Sequence, residues 1–433
     1  MNAEPDLGFA VRARPLPPAF DLLAACTGSP DGRPFLFERA GLGVAATSMA
    51  GAIGLAWEPV SEAALRALGA DCLARLRATT DADAAGGLVA VGQCSFGPAG
   101  EAWFKLPSLL VRRTKAGATW LVEIAARDTE PEPFDPTRPS GGIAREPFTP
   151  DQLVEQPSAR RYATGVGEAV RRIRDGELKK VVLARSVEVS AAHDLDPVRL
   201  AHRLRAVDPD AFTFIAPLRW GTSNGRKDRS ILVGASPELL VSKRGALVRS
   251  TPLAGSAPRA GDPEEDRANA EALFASAKNR EEHAIVVDAI ADSLEPMCEQ
   301  LGWDREPVLL ETANVWHLAT RFEGVLRDPP PSAVDLVAVL HPTPAVCGTP
   351  REQARALIEE LEPFDRGGYA GPIGWMDAAG DGDWAIALRC AELSGKQATL
   401  FAGAGIVADS DPDDEVDETD RKFRAFLDSL RWG

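Results

Sequence analysis

Carboxylates crowd the end of this chain. In "GIVADSDPDDEVDETDRKF", residues 405–423, eight of the twelve positions from Asp409 to Asp420 are Asp or Glu. If the chain is helical from Asp414 onward, Glu415, Glu418 and Lys422 stand at i, i+3 and i+7 and share one face. The other acids then take the outer face or the preceding loop, near a helix N-terminus that favours negative charge. Most of the run is therefore solvated coat. Two carboxylates and an ammonium on an inward face are a different matter, because burial obliges them to find partners. Hard carboxylate oxygens suit Mg²⁺, which takes one or two protein acids and fills its shell with ligand oxygens and water.

A second acid pair lies in "AKNREEHAIVV". Glu281 and Glu282 are adjacent and point about 100° apart on a helix, so one at most faces the interior. Ala284, Val287 and Ile290 suggest which face is core. Two more titratable residues stand in apolar strand contexts. Lys180, in "ELKKVVLARSVEV", either snorkels at a sheet edge or is buried near other cations, where a lysine amine becomes a usable general base. Glu238, in "GASPELLV", is the mirror case: desolvation raises a carboxyl's pKa and keeps it protonated, as a general acid must be. Gly403-Ala404-Gly405 follows an apolar strand. A dinucleotide fingerprint would need a βαβ unit of about 30 residues, and only one terminal helix remains. Close approach of backbone N–H groups to an anion, or a plain backbone crossing, fits better.

The elements that must position these groups read as mixed. "EAALRALGADCLARLRATT" is an amphipathic helix, and "WFKLPSLLVRR" with "ATWLVEIAAR" forms a pair of strands. "DTEPEPFDPTRPSGGIAREPFTP" is an exposed Pro- and Gly-rich connection. A helix is expected to open the second part, with Thr149 as its N-cap. "SILVGASPELLVSKRGALVRSTPLAGS" is strand-rich with a turn at "KRG". "DPEEDRANAEALFASAKNREEHAIVVDAIADSLEPM" is one long helical stretch, "REQARALIEELEP" is another helix, and residues 371–407 give three strands. "GTSNGRKDRS", residues 221–230, is a surface insertion between two strands. Hairpin-joined strands beside separate helices indicate an α+β layered fold rather than a parallel doubly wound sheet.

Bulk properties bound the function. The 433 residues are 45% hydrophobic and 26% charged, with a formal charge of −16. That charge argues against nucleic acid and anionic membranes as partners, yet permits an anionic substrate, since water screens distant charge beyond about 8–10 Å. The six cysteines are scattered with no CxxC, and the five histidines form no zinc motif. With no signal peptide and no membrane span in the sequence, a cytoplasmic protein is expected.

Read in order, "KVVLARS", "LVGASPELLV", "STPLAGSAPR", "SAKNREEH", "VWHLAT", "LHPTPAVCGTP", "ELEPFDRGGYAG", "GWMDAAGDGDWAIALRCAEL" and "FAGAGIVADSDPDDEVDETDRK" resemble the chorismate-utilising enzymes, and among them the isochorismate synthases. The likeness covers roughly residues 150–430. It implies a layered α/β/β/α fold like that of anthranilate synthase component I, with antiparallel sheets flanked by helices. A variable part, residues 1–145, would contribute strands to the same body as the catalytic part, residues 146–433. It further implies that Lys180 activates water for attack on ring C2 of chorismate and that Glu238 protonates the departing C4 hydroxyl. Glu282 and Glu418 would hold Mg²⁺ against the ring carboxylate, with Glu415 close by. Arg389, Lys422 and the backbone at Gly403 would receive the carboxylates, Gly255 and Ser256 would touch substrate, and Ala345, His317 and Tyr369 would line the pocket.

Departures within the family narrow the expected reaction. Anthranilate synthases are similar but lack the lysine at 180 and draw ammonia from an amidotransferase partner. Aminodeoxychorismate synthases carry a nucleophilic lysine in a "PIKGT"-like motif, where this chain has Pro252-Leu253-Ala254-Gly255-Ser256. Water as nucleophile and no amidotransferase subunit are therefore expected, and an acidic chain with no evident partner motif is expected to be a monomer. Salicylate synthases share the lysine and then eliminate pyruvate; small Ala345 and Val346 in "HPTPAVCG" look more like enzymes that stop at isochorismate. A catalytically silent chorismate-binding module is the reading from another class, and intact Lys180, Glu238, Glu282 and Glu418 count against it. Ala277 stands where many relatives carry an acid.

Overall fold

Period-two alternation turns the strands into two-faced layers. In the strand Phe35–Arg39, Phe35 and Phe37 enter one core while Leu36 enters another. The computed structural model describes residues 9–27, 29, 33–48, 53–59, 61–79, 87–97, 101–114, 116–126, 152–218, 222–223, 226–227 and 230–431. The larger sheet has twelve strands. Phe9–Leu16, Thr119–Ala126, Leu109–Arg113, Leu42–Ser48 and Phe35–Arg39 build one half. Phe212–Pro217, Ile231–Ser236, Cys390–Ser394, Gln397–Ile406 and Lys180–Ser190 build the other. Gly348–Thr349 and Gln152–Gln156 share the last strand's outer edge.

The second sheet has nine strands, running from Cys298–Trp303 through Leu239–Arg244 and Gly382–Ile386 to Val89–Cys94, Glu101–Leu106 and Ile53–Pro59. Strands from the first 126 residues thus lie in both sheets. Large aromatics fill the space between: Phe35 meets Trp103 edge-on at 6.1 Å, and Phe104 lies 5.4 Å from Trp384. Helices Leu22–Cys26, Pro197–Val207 and Pro412–Arg431 cover the larger sheet through Leu22, Leu204 and Phe423. Helices Glu62–Thr79 and Ala333–Leu340 cover the other. The result is the helix–sheet–sheet–helix sandwich expected, with a three-stranded sheet, Leu253–Pro258, Val315–Ala319 and Val308–Glu311, beside it.

Four local expectations need correction. The second part opens with strand Gln152–Gln156, and its helix, Ala159–Arg174, is capped by Ser158, whose Oγ accepts from Arg161 N at 3.5 Å. Pro157 keeps the preceding residue out of the helical region; Thr149 and residues 128–150 fall outside the described residues. The long helical stretch is two helices, Pro263–Ala275 and Ala277–Leu294, divided at Ser276, which ends one and caps the other. Residues 101–113 form two strands, split at Pro107, and Thr119–Ala126 makes a third. Residues 372–406 form four strands, because the chain leaves one sheet after Ile386 and enters the other at Cys390. In the insertion, Thr222–Ser223 pairs with Arg226–Lys227 between two strands that pair with each other.

Gly403-Ala404-Gly405 lies inside an antiparallel strand flanked by Lys180–Ser190 and Cys390–Ser394. No βαβ unit surrounds it, so the dinucleotide context is missing. Among the described residues no helix is long and apolar enough to cross a membrane.

Candidate active site

Strands Lys180–Ser190 and Gln397–Ile406, neighbours near one end of the larger sheet, meet the three-stranded sheet, helix Ala277–Leu294 and the terminal helix around a cavity. Glu238, Gly255, Ser256, Glu282, His317, Ala345, Tyr369, Arg389, Gly403, Glu418 and Lys422 all line it. Lys180 and Glu415 do not line it. Val182, Pro237, Leu253, Leu388 and Phe401 supply apolar wall.

Lys180 opens its strand and is fully enclosed just behind the cavity. Its Nζ lies 3.0 Å from Glu282 Oε1, close enough for an ion pair but out of line for a hydrogen bond. The partner acid is the inward member of the Glu281–Glu282 pair; Glu281 points outward. Of the expected core stripe, Ile290 is buried and Val287 packs half-buried against the core, whereas Ala284 is exposed and the helix buries His283 and Val286 instead. Gly405 is what lets these groups meet. A methyl there would stand 2.0 Å from Glu282 Oε1 and 3.1 Å from Lys180 Cε. Gly405→Ala is expected to push Glu282 off its position and lower kcat by roughly 10²-fold, the usual cost of about 1 Å of misplacement. A folded variant with unchanged kcat, measured beside its melting temperature, would show that the contact is dispensable.

Glu238 follows the strand Ile231–Ser236, and its own N–H donates to Ser236 Oγ at 3.2 Å. Burial pushes its carboxyl up to about 8, against the opposing pull of the Lys180 charge and a backbone donor at Leu253. Near neutral pH it is a protonated acid facing the cavity. Glu282, the ion-pair partner of Lys180, lines the same cavity as Glu238.

The cationic end is built at the sheet crossover. Arg389 takes a positive φ of 48° where the chain passes between layers, a conformation costing a non-glycine residue about 1–2 kcal/mol. Its Nη2 lies 2.8 Å from His317 Nε2. Burial, then the Arg389 and Lys422 charges, drive His317 well below the usual imidazole range, so the ring is neutral and accepts from the guanidinium. Lys422 donates to Gly403 O at 2.8 Å and pairs with Glu418 at 2.7 Å. Tyr369 stacks on Phe401 at 5.2 Å beneath this end.

The terminal helix, Pro412–Arg431, turns Glu415, Glu418 and Lys422 inward. Burial works to raise Glu418, but Lys422, Lys278 and a Ser256 hydroxyl hold it below the ordinary value. Glu415 sits behind the cavity wall, paired with Lys278 at 2.6 Å, and burial together with Glu418 pushes it up to about 7. Among the described residues no three or more ligating side chains form a ready-made metal cluster. Two carboxylates that line the cavity, Glu282 and Glu418, still fit Mg²⁺, which asks for one or two protein acids and takes the rest from substrate and water. Glu415 is off the cavity and fits a supporting place. The sequence reading missed Lys278; its signal was the i, i+4 spacing to Glu282, which puts both on one helix face.

A family model described as a chorismate binding enzyme matches residues 63–431. The chain belongs to the chorismate-binding enzyme family. An isochorismate synthase of Bacillus subtilis is 45% identical over 274 residues, covering 63% of this chain and 68% of the relative. A solved Bacillus anthracis structure, assigned to a 2,3-dihydroxybenzoate-specific isochorismate synthase, superposes with a TM-score of 0.77 at 34% identity, over 92% of this chain and 96% of that one. The menaquinone-specific isochorismate synthase of Escherichia coli superposes with a TM-score of 0.78 at 24% identity, over 98% and 95% of the two chains, and shares the fold. This member of the family is an enzyme by those likenesses, and its family-wide fold is the one the motifs implied.

Proposed function

We propose that this enzyme is an isochorismate synthase acting on chorismate. The observation that carries the reading is a protonated buried acid, Glu238, and a buried amine, Lys180, bearing on one cavity whose far end is cationic. Chorismate is a dianion, so Arg389 and Lys422 receive its carboxylates, with backbone donors near Gly403 close by. Glu282 and Glu418 would hold Mg²⁺ at the ring carboxylate, where the ion supplies electron withdrawal when bound. Lys180, in its unprotonated form, takes a proton from water as the oxygen bonds to C2. Glu238 gives its proton to the C4 oxygen as that bond breaks, and water leaves. One hydroxyl enters and one departs, with the ring double bonds shifted between them.

Two family alternatives lose support on particular residues. Ala254 cannot attack as the lysine of an aminodeoxychorismate synthase does, and Lys180 stands where anthranilate synthases lack a base. We read the enzyme as free of an amidotransferase subunit, monomeric and cytoplasmic, with its product entering siderophore or menaquinone synthesis.

Incubating the protein with chorismate and Mg²⁺ and resolving the products tests the assignment. Isochorismate without equivalent pyruvate is the expected result. Pyruvate matched by salicylate would make the enzyme a salicylate synthase, and chorismate binding without turnover would make it a silent module.

The acid role has a pH signature. Glu238 must be protonated to donate, and its ionisation begins on the alkaline side because burial raises it to about 8. Activity is therefore expected to fall as pH rises through about 8, by tenfold per unit beyond it. Glu238→Gln should lose most turnover, and its residual activity should lack that limb. An alkaline limb of the same midpoint in the Gln variant would assign the ionisation to another group.

A further inference from the structure

The outer edge of strand Lys180–Ser190 has a gap. Gly348–Thr349 pairs with it at Lys180 and Val181, and Gln152–Gln156 takes over only at Ser186. Across the gap, side chains take the place of a strand. Ala184 N donates to Glu362 Oε1 at 2.7 Å, and Val182 O accepts from Arg366 Nη2 at 2.7 Å.

Glu362 and Arg366 grip each other through two parallel bonds of 2.9 and 2.6 Å, and their side chains are 3% and 2% exposed. A third arm of the guanidinium, Nη1, donates to Val346 O at 2.8 Å. Its face packs over the Phe96 ring at 4.2 Å. Val182 and Val346 both line the cavity. Val182 is two residues from Lys180, and Val346 adjoins Ala345. Beside the direct bond from Val182 N to Cys347 O at 2.8 Å, this planar group ties the wall that carries the amine to the wall that cradles the ring.

We infer that Glu362 and Arg366 are positioning residues for the reaction, setting Lys180 against the substrate by clamping the backbone at Val182 and Val346. This rests on the role proposed above for Lys180. A buried ion pair is by itself weak evidence for a stability role. Here its geometry is fitted to backbone groups that would otherwise be buried unpaired. Lysine in place of Arg366 keeps the charge but cannot span two carbonyls and a carboxylate at once.

Arg366→Lys and Glu362→Gln test it, with Lys243→Met as control. Lys243 belongs to another buried pair, 2.8 Å from Asp381 in the other sheet. Both test variants should lose roughly 10- to 100-fold in kcat, as misplacement without unfolding does. Chorismate affinity should stay within about threefold, and amide exchange in residues 180–186 should quicken. The control should lose melting temperature and keep kcat. The inference is overturned if the test variants keep kcat within about threefold and exchange in that segment is unchanged. It is equally overturned if Lys243→Met, at the same loss of melting temperature, loses kcat as much. A wild-type protein that leaves chorismate unchanged would strike the functional reading alone, because the exchange comparison still decides whether the clamp holds the strand.

Discussion

Lys180→Met is expected to cut kcat by about 10³-fold while chorismate binding stays within a few-fold of wild type. General-base help is worth roughly 10²–10⁴, and methionine fills a lysine's volume without its amine. The split follows from where the residue sits. Lys180 is behind the cavity rather than on its lining, so it adds little to ground-state affinity. Methionine brings no charge near Glu238, whose carboxyl is raised first of all by burial. The acid half of the machinery therefore survives, and the loss isolates the base. Steady-state kinetics with a separate binding titration checks this. A methionine variant with near wild-type kcat would remove Lys180 from the mechanism.

Metal removal is expected to have a comparable effect. EDTA should lower turnover by nearly 10³-fold, and Mg²⁺ in excess should restore it. The argument is electrostatic. A dianionic substrate must bring a carboxylate into a cavity walled by Glu282 and Glu418. Two like charges 4 Å apart at an effective dielectric constant of 20 repel by about 4 kcal/mol, which is nearly a thousandfold in binding or rate. Lys180 and Lys422 already pair with those two acids, but each is also claimed by the chemistry or by Gly403. Full turnover in EDTA would show that lysines alone neutralise the site.

Much of this arrangement was legible from residue type and spacing. The inward face of Glu415, Glu418 and Lys422 follows from helical periodicity, and the terminal helix, Pro412–Arg431, realises it. The 100° rule allowed one inward glutamate in the 281–282 pair, and the family likeness named Glu282. What escaped were features decided by which layer a strand joins. Little in "WAIALRCAEL" marks the break at Ala387–Arg389, because Ala387 and Leu388 continue the apolar run and a lone arginine does not say that the chain changes sheets. Pro157 did carry a readable signal, since the residue before a proline leaves the helical region. The Glu362–Arg366 pair was invisible: it lies beyond the end of helix Arg351–Leu361, and its partners at Val182, Ala184 and Val346 are remote in sequence. Glu415 was put beside the metal by resemblance, whereas packing sends it to Lys278.

The most direct test of the acid–base account is turnover of chorismate in H₂¹⁸O with Mg²⁺, followed by mass analysis of the isochorismate formed. Solvent attack at C2 with loss of the C4 oxygen predicts one ¹⁸O per product molecule, located at C2. Product that carries only the original oxygens would mean the hydroxyl migrates within the substrate, and a base at residue 180 and an acid at residue 238 would then have no water to serve.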